Sequence, residues 1–355
     1  MNEEKEKQQV QEQEQKQKNN KRVLLVTQQY GYNPAEKAHC GVGVAGNLLA
    51  ITLSPQTTTE EAKEKDVDFD FEVLYANANP VLEAKIKVFQ PRVILYNFHP
   101  MTCAWMFDPS LRNRYPDIVH IMIHYDMTQV KIQRFQPALY HGFKYVISDD
   151  DTLTASDRVF ITNRILPPIF PSPSLPVPVA PVIGFQGFGP PHKGIARIAH
   201  KVQEEFDTAI IRLHIPYSLF GDPDGRQARA RVEEVKRIIR KPGIKVVSTH
   251  TFMTVEETVA WLHQNTINCY FYDYLDGAGI ASAPNFALAA RKPIAVTRSF
   301  QLRNFWNLKP SVCIEDRSLK EIIASGLEPL QELYNKYTPN NVRHDYNRIL
   351  QKFFC

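Results

Sequence analysis

The stretch Gly184-Phe-Gln-Gly-Phe-Gly-Pro-Pro-His-Lys193-Gly194 decides the fold of this chain. An apolar strand breaks there into a glycine loop, and a lysine precedes the amphipathic helical pattern of residues 195–206. Backbone N–H groups at a helix start, together with a nearby cation, suit a phosphate ligand. The stretch therefore predicts a strand, a phosphate-binding loop and a helix, in that order.

A second glycine turn, Asp276-Gly-Ala-Gly-Ile-Ala-Ser282, stands further along, again between an apolar run and a helical pattern. Backbone N–H groups of its last residues and a serine hydroxyl would hold phosphate oxygens; these residues are Gly277, Gly279, Ile280, Ala281 and Ser282. Glycines also serve as plain tight connections, which is the structural alternative. Two such turns at one sheet edge predict a single diphosphate held between two helix N-termini.

The length and composition of the chain favour two domains. With 355 residues, 43% hydrophobic and 23% charged, it can bury one large core or two of about 150 residues each. The formal net charge of +4 is too small to suggest a nucleic-acid binder.

The cysteines and the N-terminus indicate the compartment. The five cysteines are spread along the chain without a Cys-x-x-Cys pair, so neither a disulfide framework nor a zinc site is expected. The N-terminal residues lack the apolar core of a secretory signal, and no uninterrupted apolar run is long enough to span a membrane, so neither export nor a membrane span is expected. We expect a soluble, cytoplasmic protein without a transmembrane segment.

The organisation along the chain follows from its composition. Residues 1–20 are polar and predict a disordered tail, with a fraying helix as the alternative. Residues 21–165 predict the first domain, the proline-rich residues 166–181 a linker, and residues 182–328 the second domain. Residues 329–355 are helical in pattern, and one interpretation is that they cross back to the first domain.

Both predicted domains alternate apolar strand-like runs with helical periodicity. Near-continuous apolar strands separated by helices predict an α/β fold with a doubly wound parallel sheet in each domain. The predicted strands are residues 23–26, 71–75, 93–96, 119–123, 145–147, 182–185, 209–213, 245–248, 269–272, 294–297 and 312–314.

Lys193 is the strongest single candidate for phosphate binding. It lies between Gly189 and Gly194, and a cation at a helix N-terminus is disfavoured by the helix dipole unless an anion is present. An ordinary surface lysine is the alternative.

The first domain holds a literal Gly-x-Gly-x-x-Gly pattern from Gly41 through Gly43 to Gly46. A dinucleotide fingerprint follows its strand directly, whereas residues 28–40 separate this pattern from the strand. We interpret it as a loop and helix start that closes over a ligand in a cleft, or as a purely structural helix start.

Polar residues at strand ends give further candidates. His99 follows one predicted strand, and His124 follows the next with Asp126 two residues on, so all three are expected at the carboxyl edge of the sheet. His120 lies within a strand and is interpreted as a core residue. Residues 149–151 are three adjacent aspartates, which predict a solvated turn rather than a metal site.

These features together resemble the GT-B glycosyltransferases, especially the retaining family 4 (group 1) type. That type carries a Lys-Gly after a glycine-bearing strand and a second glycine loop before a helix that ends in a Lys-Pro-Val-like sequence, here Arg291-Lys-Pro-Ile-Ala-Val296. The resemblance covers most of residues 182–326 and, loosely, the first domain. It implies two Rossmann-like domains facing across a cleft, with a nucleotide-sugar donor on the second and the acceptor mainly on the first.

The resemblance also implies roles for particular residues. Lys193 would bind the donor diphosphate, and His124 would match a strand-end histidine near the transferred sugar. The family usually has an arginine shortly before the lysine, where this chain has Phe188-Gly189. It also has a glutamate at both ends of the second glycine loop, where this chain has Asp276 and Asn285. Asn285 would then bind the donor through hydrogen bonds to its ribose hydroxyls.

The function expected from these residues is transfer of a sugar from a nucleotide-diphosphate donor to an acceptor hydroxyl on a glycan, lipid or small molecule. The predicted catalytic residues are His124, Lys193 and Asp276, and the predicted acceptor side comprises Gly41, Gly43, His99 and Asp126. The nucleotide sugar is a co-substrate, and neither another cofactor nor a metal is expected. The alternatives are a catalytically silent GT-B-like binding protein and a Rossmann oxidoreductase.

Overall fold

Six segments of the chain are described by the computed structural model: residues 21–28, 41–54, 69–100, 103–169, 179–217 and 221–354. The polar segment 1–20 and residues 170–178 of the proline-rich segment lie outside them, so the predictions for these parts are untested. Within the described segments, no helix is both long and apolar enough to cross a bilayer.

The first half of the chain forms a six-stranded sheet. Its strands are β1 (Arg22–Gln28), β2 (Asp70–Ala76), β3 (Val93–Asn97), β4 (Val119–Ile123), β5 (Tyr145–Ser148) and β6 (Val159–Ile161). They are parallel and run in the order β2-β1-β3-β4-β5-β6. The α-helices described in this half are α1 (Gly41–Leu53), α2 (Asn79–Phe89), α3 (Ser110–Arg114) and α4 (Gln129–Gln133).

The second half forms a five-stranded sheet. Its strands are β7 (Val182–Gln186), β8 (Ala209–His214), β9 (Ile244–Thr249), β10 (Ile267–Tyr270) and β11 (Ile294–Val296). They are also parallel, in the order β11-β10-β7-β8-β9. The helices described here are α5 (Ile195–Glu205), α6 (Arg226–Ile238), α7 (Val255–His263), α8 (Ala283–Ala289), α9 (Leu319–Ala324), α10 (Gln331–Lys336) and α11 (Pro339–Leu350).

Helices cover both faces of the first sheet. Leu24 and Val26 of β1 belong to a buried cluster that includes α2, whereas Val23 and Leu25 belong to a cluster that includes α1 and α11. Successive strand residues point to opposite faces, so this division shows that the sheet is buried on both sides. The predicted fold class, two doubly wound parallel sheets, is confirmed.

Local sequence explains where the helix after the lysine loop begins and which face it buries. In α5 the buried residues Ile195, Ile198, Ala199 and Val202 recur at the helical period. Gly194 precedes the helix with a φ of 58°, in the left-handed region that favours glycine. The lysine loop is therefore fixed between β7 and a helix anchored in the core.

Two details of the sheets differ from the sequence prediction. The pattern does not predict β6, because a strand of three residues is too short to show a periodicity. Residues 312–314 are predicted as a strand but form only an isolated bridge between Val296 and Cys313. The chain turns directly afterwards, where Asp316 and Arg317 donate backbone hydrogen bonds to the Cys313 carbonyl.

Helix α11 contributes to the core of the first sheet, so we expect truncation of its buried side chain to destabilise the protein. Ile349 is fully buried in that core. Ile349→Ala should lower the free energy of unfolding by about 2–5 kcal/mol, because it removes buried methyl groups and leaves a cavity. Urea titration of the variant and of Val88→Ala, whose side chain is 80% exposed on α2, would measure the difference. Equal, small losses in both variants would show that α11 does not pack there.

Candidate active site

A cavity of about 630 Å³ lies between the carboxyl edges of the two sheets. Its wall includes residues after β3, β4, β5 and β6 on one side and residues after β7, β8 and β10 on the other. The structure brings together in this wall many of the residues predicted from sequence: Gly41, His99, Asp126, Gly189, Lys193, Gly279, Ile280, Ala281, Ser282 and Asn285.

Lys193 is the cation that the second half presents to the cavity. It ends a short turn, Pro191–Lys193, and its ammonium nitrogen lies 3.8 Å from the ring centroid of Tyr272. Among the described residues, no carboxylate or carbonyl oxygen accepts a hydrogen bond from this ammonium group. Burial lowers the pKa of Lys193 to about 8, because the charged form loses hydration without gaining an anionic partner.

The backbone around Lys193 leaves no space for larger residues. A Cβ on Gly194 would overlap the carbonyl oxygen of Phe271, and a Cβ on Gly189 would lie 3.3 Å from the Ala228 Cα. Gly194 itself is buried and does not line the cavity. These glycines allow the loop to lie against β10 and α6, which sets the position of Lys193.

The second glycine loop touches the first half directly. Gly279 lies so close to the turn after β4 that a Cβ would overlap the Tyr125 carbonyl oxygen and approach the Asp126 Cα to 2.7 Å. The Gly279 N–H donates to the Asp126 carboxylate at 3.3 Å. The same loop also lies close to the start of α1, because a Cβ on Gly41 would lie 3.2 Å from the Ser282 hydroxyl oxygen.

The hydrogen bonds of this loop show which of its N–H groups already have acceptors within the protein. The Gly279 N–H is directed to Asp126, and the Ala281 N–H donates to the Gln301 carbonyl at 2.9 Å. Two of the N–H groups predicted to hold phosphate are therefore already used within the protein. The Ile280 N–H and the Ser282 hydroxyl are the groups of this loop that a ligand in the cavity can still engage.

Asp276 and Gly277 are exposed and lie outside the cavity wall. The Asp276 carboxylate accepts the N–H of Gly277 at 2.8 Å, and the Gly277 carbonyl accepts from the ammonium group of Lys131 at 3.2 Å. This geometry assigns the loop start to contacts between the two halves. The catalytic role predicted for Asp276 stays a prediction.

Of the two strand-end histidines, His99 lines the cavity and His124 does not. The Nδ1 atom of His124 accepts the backbone N–H of Asp126 at 3.0 Å, and its ring packs beside Phe98 and Tyr140. Burial lowers the pKa of His124 to about 4 and also lowers the pKa of His99. The predicted catalytic role of His124 stays untested.

Gly43, predicted on the acceptor side, is buried within α1 and does not line the cavity. Of the glycines in the Gly-x-Gly-x-x-Gly pattern, Gly41 is the one that does. A Cβ on Gly46 would overlap the side chains of Thr27 and Asn97, so this glycine allows α1 to pack against β1 and β3. Within this pattern, Gly46 allows α1 to pack against the sheet, and Gly41 contributes to the cavity wall.

Arg164 is a cavity residue that the sequence analysis misses. It follows β6, and its side chain is almost fully buried. Its Nε donates to the Asn285 amide oxygen at 3.2 Å, and its guanidinium lies 3.7 Å from the carboxylate of Asp149. The Asn285 amide nitrogen donates to the Ile165 carbonyl at 3.4 Å, so both polar atoms of Asn285 have protein partners. Its predicted contact with a ribose stays a prediction.

The aspartates 149–151 do not form the solvated turn that the sequence predicts. Asp150 is fully buried and forms an ion pair with the buried Arg303, which also donates to Thr152 Oγ1 and the Ala278 carbonyl. Asp151 accepts from the Tyr337 hydroxyl at 3.0 Å. These contacts join the first sheet to the second half directly beneath the second glycine loop.

Within the described residues, no group of three or more His, Cys, Asp or Glu side chains is arranged to hold a metal ion. Asp149, Asp150 and Asp151 are adjacent in sequence, but each has a different partner.

Comparison with solved structures finds the same fold in glycosyltransferases. The trehalose-6-phosphate synthase OtsA is 11% identical over 94% of this chain and 98% of its own, with a TM-score of 0.60. A glycosyltransferase from Rickettsia africae is 10% identical over 94% and 99%, with a TM-score of 0.59. Anabaena HepE, solved with UDP and glucose, is 12% identical over 94% and 96%, with a TM-score of 0.54. No protein-family model and no curated protein matches the sequence.

The chain therefore has the GT-B fold, with two Rossmann-like parallel sheets on either side of a cleft. The resemblance drawn from the lysine loop and the second glycine turn is confirmed at the level of the fold.

Removing the arginine of the buried ion pair should destabilise the protein strongly. Arg303→Met leaves the Asp150 carboxylate buried without its cation, and we expect the free energy of unfolding to fall by about 3–5 kcal/mol. Urea titration measures this loss. The matched control is Arg298→Met, because Arg298 pairs with Asp316 at the surface, where ion pairs contribute little.

The double variant Asp150→Asn/Arg303→Met should recover part of the loss, since it removes both charges of this pair and leaves neither buried without its partner. Equal destabilisation by Arg303→Met and Arg298→Met would show that the contact between the halves does not depend on this pair.

Proposed function

We propose that this protein transfers a sugar from a nucleotide-diphosphate donor to an acceptor hydroxyl, with the donor diphosphate bound at Lys193. The observation that carries the proposal is the Lys193 ammonium group, which faces the cavity without an anionic partner among the described residues. A cation held in this way gains most from an anionic ligand, because the ligand compensates the hydration that burial removes.

The reaction mainly requires the protein to stabilise the charge that develops on the leaving diphosphate. The bond between the sugar C1 and the diphosphate oxygen breaks, its electron pair stays on the diphosphate, and the acceptor oxygen forms the new bond to C1 with loss of its proton. Lys193 would stabilise the charge that develops on the leaving diphosphate, and preorganised groups of this kind contribute a few kcal/mol each. In this proposal the protein's own cation, rather than a bound metal, supplies that charge.

The proposal assigns the remaining cavity residues to two sides. On the donor side, the Ile280 N–H and the Ser282 hydroxyl join Lys193 around the phosphates and sugar. Gly41, His99 and Asp126 form the acceptor side. A UDP-sugar is the first donor to test, because HepE has been solved with UDP and with UDP-glucose. The cytoplasmic location stays a prediction.

A silent binding protein is the second candidate, and a specific observation favours it. Phe188 and Gly189 occupy the place of the arginine expected before the lysine, and both amide atoms of Asn285 have protein partners. Binding of UDP without transfer or hydrolysis across a panel of UDP-sugars and acceptors would support this candidate over the transferase.

Replacement of the cavity lysine should weaken donor binding. We expect Lys193→Ala to raise the Kd for UDP by about tenfold to a hundredfold, since a hydrogen bond to a charged group contributes about 1.5–3 kcal/mol. Isothermal titration calorimetry gives the Kd directly. Lys245→Ala is the matched control, because Lys245 is exposed on β9, outside the cavity. Unchanged UDP affinity in Lys193→Ala would overturn the assignment.

The lowered pKa of Lys193 predicts how UDP binding depends on pH. A lysine with a pKa of about 8 is charged below pH 8 and loses its proton above it. UDP affinity should therefore be nearly constant from pH 6.5 to 7.5 and fall up to tenfold per pH unit above pH 8. Titrations from pH 6.5 to 9 measure this profile.

The arginine variant provides the control for that profile. Lys193→Arg keeps the charge throughout this range, because a guanidinium does not lose its proton there. The fall above pH 8 should be absent in this variant. A fall of the same size in Lys193→Arg and in the unmodified protein would mean that another group titrates.

A further inference from the structure

A second cavity, of about 300 Å³, adjoins the first. The two cavities share Leu48, Ile165 and Pro167 in their walls. The second cavity lies between α1, the residues after β6, the end of α8, and helices α10 and α11. These shared residues place the two cavities side by side.

The wall of the second cavity is mostly apolar. Aliphatic side chains and tyrosine rings form most of it, and Arg291 is the charged residue among its described lining. The guanidinium of Arg291 stacks on the Tyr334 ring at 3.7 Å, so its charge is directed to an aromatic face. A cavity with this lining suits hydrocarbon, because it offers few partners to a polar ligand.

Helix α1 connects the two cavities along one apolar stripe. Val44 lines the first cavity, Leu48 lines both, and Ile51 lines the second. Their spacing of four and then three residues places them on one face of the helix, over a length of about 10 Å. The helix sequence Gly41–Leu53 contains no charged residue, so no ionic group interrupts the stripe.

Exposed apolar side chains stand at the outer end of this path. Ile51 is 53% exposed and Ile169 is 57% exposed, and both line the second cavity. The second cavity is thus open at an apolar rim.

We propose that the second cavity holds the aliphatic tail of the acceptor, so that the acceptor substrate is an amphiphile whose hydroxyl head lies in the first cavity. The inference rests on the proposed transferase function and names its acceptor class. A volume of about 300 Å³ accommodates about ten groups of the size of a methylene or a water molecule. The tail passes from one cavity to the other along Val44, Leu48 and Ile51.

A series of alkyl glucosides tests the proposal by binding alone. Methyl, hexyl, octyl and decyl β-D-glucopyranoside, each below its micellar concentration, would be titrated into the full chain by calorimetry. We expect one site, with the Kd falling about fourfold for each added methylene, the factor that corresponds to the usual gain on burying one such group. Equal affinity for methyl and decyl glucoside would overturn the proposal.

Two variants connect the binding to this cavity. Ile51→Glu places a carboxylate at the apolar rim, and Ala289→Leu fills part of the interior with a larger side chain. Each variant should reduce the fall in Kd for each added methylene to less than twofold. Val88→Glu is the matched control, because it adds the same charge to an exposed apolar position on α2 away from both cavities. Thermal unfolding of each variant shows whether it is folded at the titration temperature.

The outcomes separate this inference from the proposed function. Chain-length dependence that persists in both cavity variants, as it does in Val88→Glu, would overturn the proposal. UDP binding by the same preparation, without chain-length dependence for the glucosides, would overturn the acceptor class and leave the transferase proposal standing. Chain-length dependence without any UDP binding would contradict the transferase proposal, and with it the role of this ligand as acceptor.

Discussion

The close approach of Gly279 to the turn after β4 is the constraint on which the site depends. The two sheets belong to different halves of the chain, and the loop before α8 reaches the Tyr125 carbonyl of the first half without an intervening side chain, in the wall of the cavity between the two carboxyl edges. Directly beneath this loop, Arg303 pairs with Asp150 in a buried position and also holds the Ala278 carbonyl. A backbone contact that only glycine permits and a buried ion pair together join the two sides of the cavity.

The position of Lys193 in the cavity wall determines the hydration and the pKa of its ammonium group. A lysine on an open surface would be fully hydrated and would keep its usual pKa, but the wall of the cavity removes water from the ammonium group and lowers the pKa to about 8. Two other cations that the described residues place near the cavity, Arg164 and Arg303, are directed to protein oxygens. Among the described lining of the cavity, Lys193 therefore offers its charge to a ligand, in the same wall as Ile280 and Ser282.

The fold and the lysine loop could be predicted from sequence because both are local patterns. Apolar runs alternate with helical periodicity, and the glycines and lysine of the loop lie within a few residues of each other. Arg303 and Arg164 could not be found in this way, because their partners Asp150 and Asn285 lie 153 and 121 residues away in sequence and an isolated arginine has no distinguishing pattern. The sequence also could not show which of the two strand-end histidines lines the cavity. This depends on the position of the His124 ring, whose Nδ1 atom accepts the Asp126 N–H. The two loop N–H groups already engaged within the protein could be recognised only from tertiary structure.

A crystal structure of the protein with UDP tests the central claim most directly. The account predicts that the diphosphate lies in the larger cavity, with an oxygen within about 3 Å of the Lys193 ammonium nitrogen and a further oxygen near the Ile280 N–H or the Ser282 hydroxyl. UDP bound outside this cavity, or bound inside it with its phosphates directed away from Lys193, would contradict the account.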